Sequence, residues 1–96
     1  MTCTVLLELQ VKPECVDAAI AGLGELLPST RTFEGCVEVY AHQNQDDPCN
    51  IVAVEVWDSR EAYEKYFAWR VETGAIAQLA EWITGDPSIR YFDKKA

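Results

Sequence analysis

An α+β plait, with the order strand, helix, strand, strand, helix, strand, is the fold this sequence predicts, and three observations predict it. Four short stretches alternate apolar and polar residues, the mark of half-buried strands. Between the first and second, and again between the third and fourth, the apolar spacing widens to three and four residues, the helical period. Pro, Gly and Asp stand at the joints, as in Lys12-Pro13, Glu34-Gly35, Asp46-Asp47-Pro48 and Gly85-Asp86-Pro87. The order is that of the split βαβ, or ferredoxin-like βαββαβ plait, a four-stranded antiparallel sheet with its helices on one face.

Thr4 to Lys12 is the first strand, with Val5, Leu7, Leu9 and Val11 on one side and Leu6, Glu8 and Gln10 on the other; Pro13 stops it. Glu14 to Leu27 is a helix carrying Val16, Ile20, Leu23 and Leu27 at helical spacing, and Pro28 ends it. Thr30 to Gly35 is a loop. Cys36 to Gln43 is the second strand, an edge strand, with Val37, Val39 and Ala41 against Glu38, Tyr40 and His42. After a connection from Asn44 to Asn50, the third strand, Ile51 to Trp57, sets Val52, Val54 and Val56 against Ile51, Ala53, Glu55 and Trp57.

Asp58 is read as the N-cap of the next helix, with Glu61 completing a capping box. That helix turns Tyr63, Tyr66, Phe67 and Arg70 inward and Glu61, Glu64, Lys65 and Glu72 outward. Gly74 breaks it. A second short helix follows, with Ile76, Leu79, Ala80 and Ile83 as its stripe, then Ser88 to Phe92 as the last strand and Lys94-Lys95-Ala96 as a frayed tail.

The 96 residues form one domain, 1–96, with 49% hydrophobic and 25% charged residues, ordinary globular material. A net charge of −8 with only 8 Lys and Arg argues against nucleic acid as a partner. Cys3, Cys15, Cys36 and Cys49 form no CxxC pair, and with a single His a structural zinc site is not expected. Reduced thiols, no signal-peptide pattern and no stretch long enough for a membrane span place the protein in the cytoplasm.

Two sheet faces follow from the alternation. One is valine-rich, combining Val5, Leu7, Leu9 and Val11 with Val37 and Val39 and with Val52, Val54 and Val56. The other is mixed, combining Leu6, Glu8, Glu38, Tyr40 and His42 with Glu55 and Trp57. The large polar-tipped residues of the helices, Tyr63, Tyr66, Arg70 and Trp82, suit the mixed face and a cavity with convergent polar groups. The helices are therefore expected over the mixed face, and a homodimer through the valine face.

The stretches Val11-Lys12-Pro13, Thr30-Arg31 through Glu34-Gly35-Cys36, Glu55-Val56-Trp57-Asp58-Ser59 with the aromatic helix after it, and Trp69-Arg70-Val71-Glu72-Thr73-Gly74 resemble the antibiotic biosynthesis monooxygenase domain family, in its small quinol-monooxygenase-like branch. The resemblance covers nearly the whole chain. It implies a dimeric α+β barrel, two sheets packed face to face, with a ligand pocket between sheet and helices. It implies oxygenase chemistry without metal or flavin, in which a bound phenol or quinol is deprotonated and its anion meets oxygen directly. It matches Trp57 and Tyr63 to pocket aromatics. The chain departs from the family at Leu6 and Ala53, where oxygenases often have Asn, and at Tyr66, where the haem-degrading branch has a His ligand.

The candidate catalytic residues are His42, the best-matched proton acceptor near neutral pH, and Glu55, a carboxylate whose burial would raise its pKa. Their bland alternatives are a surface His and a Glu paired with Arg90. The candidate substrate-binding residues are Trp57, Tyr63, Tyr66, Arg70 and Tyr40, for a small aromatic or quinone-like ligand. Trp57 either stacks on that ligand or fills the core; Arg70 either holds an anionic group or pairs with a carboxylate. Cys36 reads as a small core residue. Three functions compete: a cofactor-independent monooxygenase, a proton-transfer isomerase of the same fold, and a non-catalytic ligand-binding or stress-related dimer.

Overall fold

The alternating stretches fold as β1 (Cys3–Gln10), β2 (Cys36–Gln43), β3 (Asn50–Trp57) and β4 (Ser88–Phe92) in the computed structural model, which describes residues 2–96. They form one antiparallel sheet in the order β2-β3-β1-β4, so β2 is an edge strand. A 3-10 turn at Pro13–Cys15 leads into α1 (Val16–Arg31), and α2 (Arg60–Glu72) and α3 (Ala75–Trp82) occupy the second crossover. Gly74, at φ 83°, separates α2 from α3 in a left-handed conformation that costs glycine least.

Several helix boundaries differ from expectation: α1 starts at Val16, not Glu14, and α3 ends at Trp82, leaving Ile83 to bridge to Val11. The first helix runs past Pro28 to Arg31. A proline in the last turns removes one backbone donor, the one aimed at exposed Gly24, and the turn beyond is held by tertiary bonds from buried Thr30. At α2 the N-cap is Ser59, not Asp58: Ser59 has extended backbone, and its hydroxyl accepts from the Ala62 N–H at 3.1 Å. Asp58 still belongs to the sheet end, where its N–H donates to the Gly35 carbonyl at 2.8 Å. In α1 the buried stripe is Ala19, Leu23, Leu27 and Thr30, and Ile20 is left at the rim; in α3, Leu79 is buried and Ala80 faces out.

The larger correction concerns the sheet faces. Directly opposed residues of an antiparallel pair share a face. Val5 and Val39 both lie opposite Glu55, Leu7 lies opposite Ala53, and Leu9 opposite Ile51. The helix-covered face therefore joins Val5, Leu7, Leu9 and Val39 to Ile51, Ala53, Glu55 and Trp57. The open face joins Leu6, Glu8, Glu38, Tyr40 and His42 to Val52, Val54 and Val56. Neither of the two expected faces exists as such. Alternation assigns residues within a strand, but the phase between strands is set by register.

Two clusters fill the space under the helices. Leu9, Val11, Ala19, Leu23, Ile51, Leu79 and Ile83 make an aliphatic one; Cys3, Val5, Trp57, Tyr63 and Tyr66 make an aromatic one.

Candidate functional site

Between the two clusters lies a cavity of ≈ 60 Å³, floored by Leu7, Ala53 and Glu55 of the sheet and roofed by residues of all three helices. Its lining is almost wholly apolar, and the residues with polar groups around it are Thr30, Glu55, Tyr63, Tyr66, Arg70 and Gln78.

Glu55 is placed by strand geometry. Two residues apart on β3, Glu55 and Trp57 share the inner face, and the indole Nε1–H donates to Glu55 Oε1 at 2.9 Å. Glu55 is 3% exposed. Burial pushes its carboxyl from 4.5 up to about 7, with the Trp57 hydrogen bond opposing the shift. Oε2 hydrogen-bonds none of the described residues, yet no sealed side-chain N or O among them lacks a partner. That oxygen therefore borders open space. It is a carboxyl poised near neutrality with one oxygen anchored and one free.

Tyr63, one turn into α2, adjoins it. Burial, then the neighbouring Glu55 charge, holds its hydroxyl protonated well above the usual phenol range. Its oxygen also bonds none of the described residues, and the side chain lines the cavity. Cys36, half-buried nearby, is held as the neutral thiol by burial and by Glu55.

Tyr66 and Arg70, one turn apart on the same face of α2, reach the end of α1. Arg70 Nε donates to Tyr66 OH at 2.8 Å, and Nη2 reaches Leu26 O, Ser29 Oγ and Thr30 Oγ1 at 3.1, 2.8 and 2.9 Å. Tyr66 OH and Thr30 Oγ1 share a further bond of 2.7 Å. A guanidinium only 6% exposed is thus set against the C-terminal turns of α1, where carbonyls and the helix dipole favour a cation. The rings of Trp69 and Tyr66 flank it at 4.6 and 5.2 Å.

The structure brings together four of the seven sequence-predicted site residues at the cavity: Glu55, Tyr63, Tyr66 and Arg70. Trp57 is adjacent but fully buried; it fills the core against Phe33, Tyr63 and Tyr66 and holds Glu55, without lining the cavity. His42 and Tyr40 lie on the opposite sheet face, both exposed, with Arg31 over the Tyr40 ring at 5.0 Å. The expected pairings also change: Arg90 meets Glu8, not Glu55, and Arg70 meets no carboxylate among the described residues. Ala53 puts a methyl into the cavity floor, while Leu6 is on the outer face and outside it. Thr30 was missed because it was read as loop, and Trp82 was read only as one more large residue. Gly22 gave the available signal for Trp82, a glycine inside an amphipathic helix that allows close approach.

Among the described residues, no group of three His, Cys, Asp or Glu side chains could hold a metal ion, and no helix is long and apolar enough to cross a membrane.

A family model described as antibiotic biosynthesis monooxygenase matches residues 2–70. No curated protein matches the chain. Among solved structures, a conserved protein from Methanosarcina mazei Go1 aligns with a TM-score of 0.89 at 22% identity, covering 99% of this chain and 94% of that one. One named simply an antibiotic biosynthesis monooxygenase aligns at 0.87 and 23% identity, covering 98% and 99%. A candidate antibiotic biosynthesis monooxygenase from Deinococcus radiodurans aligns at 0.85 and 21% identity, covering 100% and 94%. These likenesses establish the plait.

Proposed function

The chain belongs to the antibiotic biosynthesis monooxygenase family, and from that premise we propose that it oxygenates a small phenolic or quinol-type substrate with O2, using Glu55 as the proton acceptor. The observation that carries the reading is the Glu55 carboxyl: buried, anchored by Trp57 through one oxygen, free at the other, and held near neutrality beside an apolar cavity.

Glu55 Oε2 takes the phenolic proton, which a carboxylate of raised pKa does better than an ordinary one. Tyr63 donates a hydrogen bond to the resulting oxyanion, and the apolar walls keep water from competing for it. An electron-rich ring carbon ortho or para to that oxygen, and still bearing its hydrogen, gives its electrons to O2, forming a C–O bond. The Glu55 proton passes to the terminal peroxide oxygen. Loss of the ring C–H proton to Glu55, with cleavage of the O–O bond, leaves a carbonyl and releases hydroxide, which recovers that proton as water. In sum, a phenol and O2 become a quinone and water. All four electrons come from the substrate, so the scheme calls for no cofactor.

A homodimer through the open sheet face belongs to the same reading. Leu6, Val52 and Val56 are half-buried there and Val54, Tyr40 and Phe92 exposed, an apolar column that a second sheet would cover. In that arrangement His42 and Tyr40 lie at the subunit contact, and a monomer by light scattering at micromolar concentration would remove it.

The test of the reaction is turnover of one-ring phenols and hydroquinones under 18O2. We expect one labelled oxygen in each quinone formed and one molecule of O2 taken up per turnover. Turnover that continues unchanged under argon would point to proton-transfer chemistry instead. Saturable binding with no product would leave a ligand-binding module.

A further inference from the structure

The cavity measures ≈ 60 Å³, whereas an apolar cavity that holds benzene in a well-packed protein is about 150 Å³. One aromatic ring therefore enters only if a wall yields. The floor is fixed by the ladders that lock β1 between β3 and β4. The aromatic end is interlocked, with Trp57, Tyr63 and Tyr66 centroids 5.7, 5.0 and 6.1 Å apart. What remains is the seam between α1 and α3, where Trp82 stands.

The backbone at Trp82 is itself well tied. Its carbonyl accepts from the Lys12 N–H at 2.7 Å, Ile83 bridges to Val11, and the Thr84 N–H donates to Gln10 O at 2.7 Å. The indole is held by packing alone: it makes no hydrogen bond to the described residues and lies half-buried against the aliphatic cluster. It lies against Gly22 of α1 so closely that a Cβ there would be 2.1 Å from Cη2 and 2.8 Å from Cζ3. The seat exists because residue 22 has no side chain. Rotation about the Trp82 side-chain bonds would leave these backbone bonds in place.

We propose that Trp82 is the size gauge of this cavity: its indole, seated on Gly22, swings aside to admit a molecule of one aromatic ring and bars fused-ring molecules. The displaced indole stays at the mouth, in the space a second ring would need. Because an indole is itself a fused bicycle, its removal frees room for at least one more ring. The inference rests on reading the cavity as the substrate pocket, and it narrows the substrate class to single-ring phenols.

The test is calorimetric titration with phenol, 1-naphthol and anthrone, all under argon, on the wild type, Trp82→Phe and Trp82→Ala. The wild type should bind phenol most tightly and anthrone least. In Trp82→Ala the ratio of naphthol to phenol affinity should rise by about tenfold or more, the scale on which one group in an apolar pocket discriminates. Trp82→Phe should fall between, and it keeps the test open if the alanine variant does not fold. The same naphthol-to-phenol affinity ratio in every protein, or binding of none of the three ligands to any of them, overturns the proposal. Oxygen plays no part in the titration, so the two readings fail separately. A shifted affinity ratio without oxygen uptake in air would remove the oxygenase and leave the gauge; oxygen uptake with an unshifted ratio would do the reverse.

Discussion

The layer beneath the helices has an aliphatic end and an aromatic end, and they bury different chemistry. Around Leu9, Ala19, Leu23, Ile51 and Ile83 nothing but hydrocarbon is enclosed, so stability there depends on area and volume. Around Trp57, Tyr63 and Tyr66 the fold also encloses Glu55, Thr30 and Arg70, whose polar atoms demand partners at fixed distances. Any well-fitting apolar residue serves the first end. At the second, each hydrogen bond dictates the orientation of the next side chain. A proton-handling group can therefore be aimed there.

The sharpest way to break the contrast is Glu55→Gln, which keeps an acceptor for Trp57 and removes the proposed base. We expect kcat to fall by about 10²- to 10⁴-fold, with the wild-type rate rising as pH passes upward through about 7. Stability should move the other way. Because the folded-state pKa is raised, the stabilisation from binding that proton is full below about 4.5 and is lost as pH rises through about 7. At pH 8 the Gln variant should therefore be more stable by up to about 3 kcal/mol, read from urea unfolding at several pH values. A Gln variant with equal turnover, or with the wild-type pH dependence of stability, would undo the assignment.

Leu9→Ala probes the other end. It should cost about 2–5 kcal/mol in chemical denaturation while leaving kcat of the folded fraction within about twofold. Comparable loss of kcat would mean that the two ends are not separable.

Gly22→Ala addresses the seam where both ends meet the cavity. The new methyl meets the far end of the indole and pushes it off its seat, so in the wild type the lost packing should offset the roughly 0.5–1 kcal/mol that alanine gains over glycine inside a helix. On a Trp82→Ala background the same change should stabilise by roughly 0.5–1 kcal/mol, and a thermal-denaturation double-mutant cycle measures the difference. Last and smallest, His42→Ala lies on the far side of the sheet and should leave kcat within about twofold. A large loss would place chemistry on the open face.

Much of the fold was legible. β2 and β4 have the boundaries that alternation predicts, and Tyr63, Tyr66 and Arg70 turn inward together as the helical period requires. The family resemblance rested on local stretches and holds. Of the site, Glu55 and its two tyrosines were legible from spacing, whereas the companionship of His42 and Glu55 was an error of register. The bonds from Arg70 to Thr30 span 40 residues and cross an expected helix end at Pro28, so no local pattern announces them.

By itself the sequence determined which segments are strands and helices, because local sterics and apolar periodicity act over a few residues. It also determined that Glu55 and Trp57 share a face, because both belong to one strand. Only the tertiary structure decided which strand faces coincide, since a period of two has no memory of phase from one strand to the next. It alone decided that Glu55 is buried with one oxygen free, that Arg70 closes α1, and that Trp82 rests on Gly22. Each of these depends on where distant segments meet, and packing settles that for the whole chain at once.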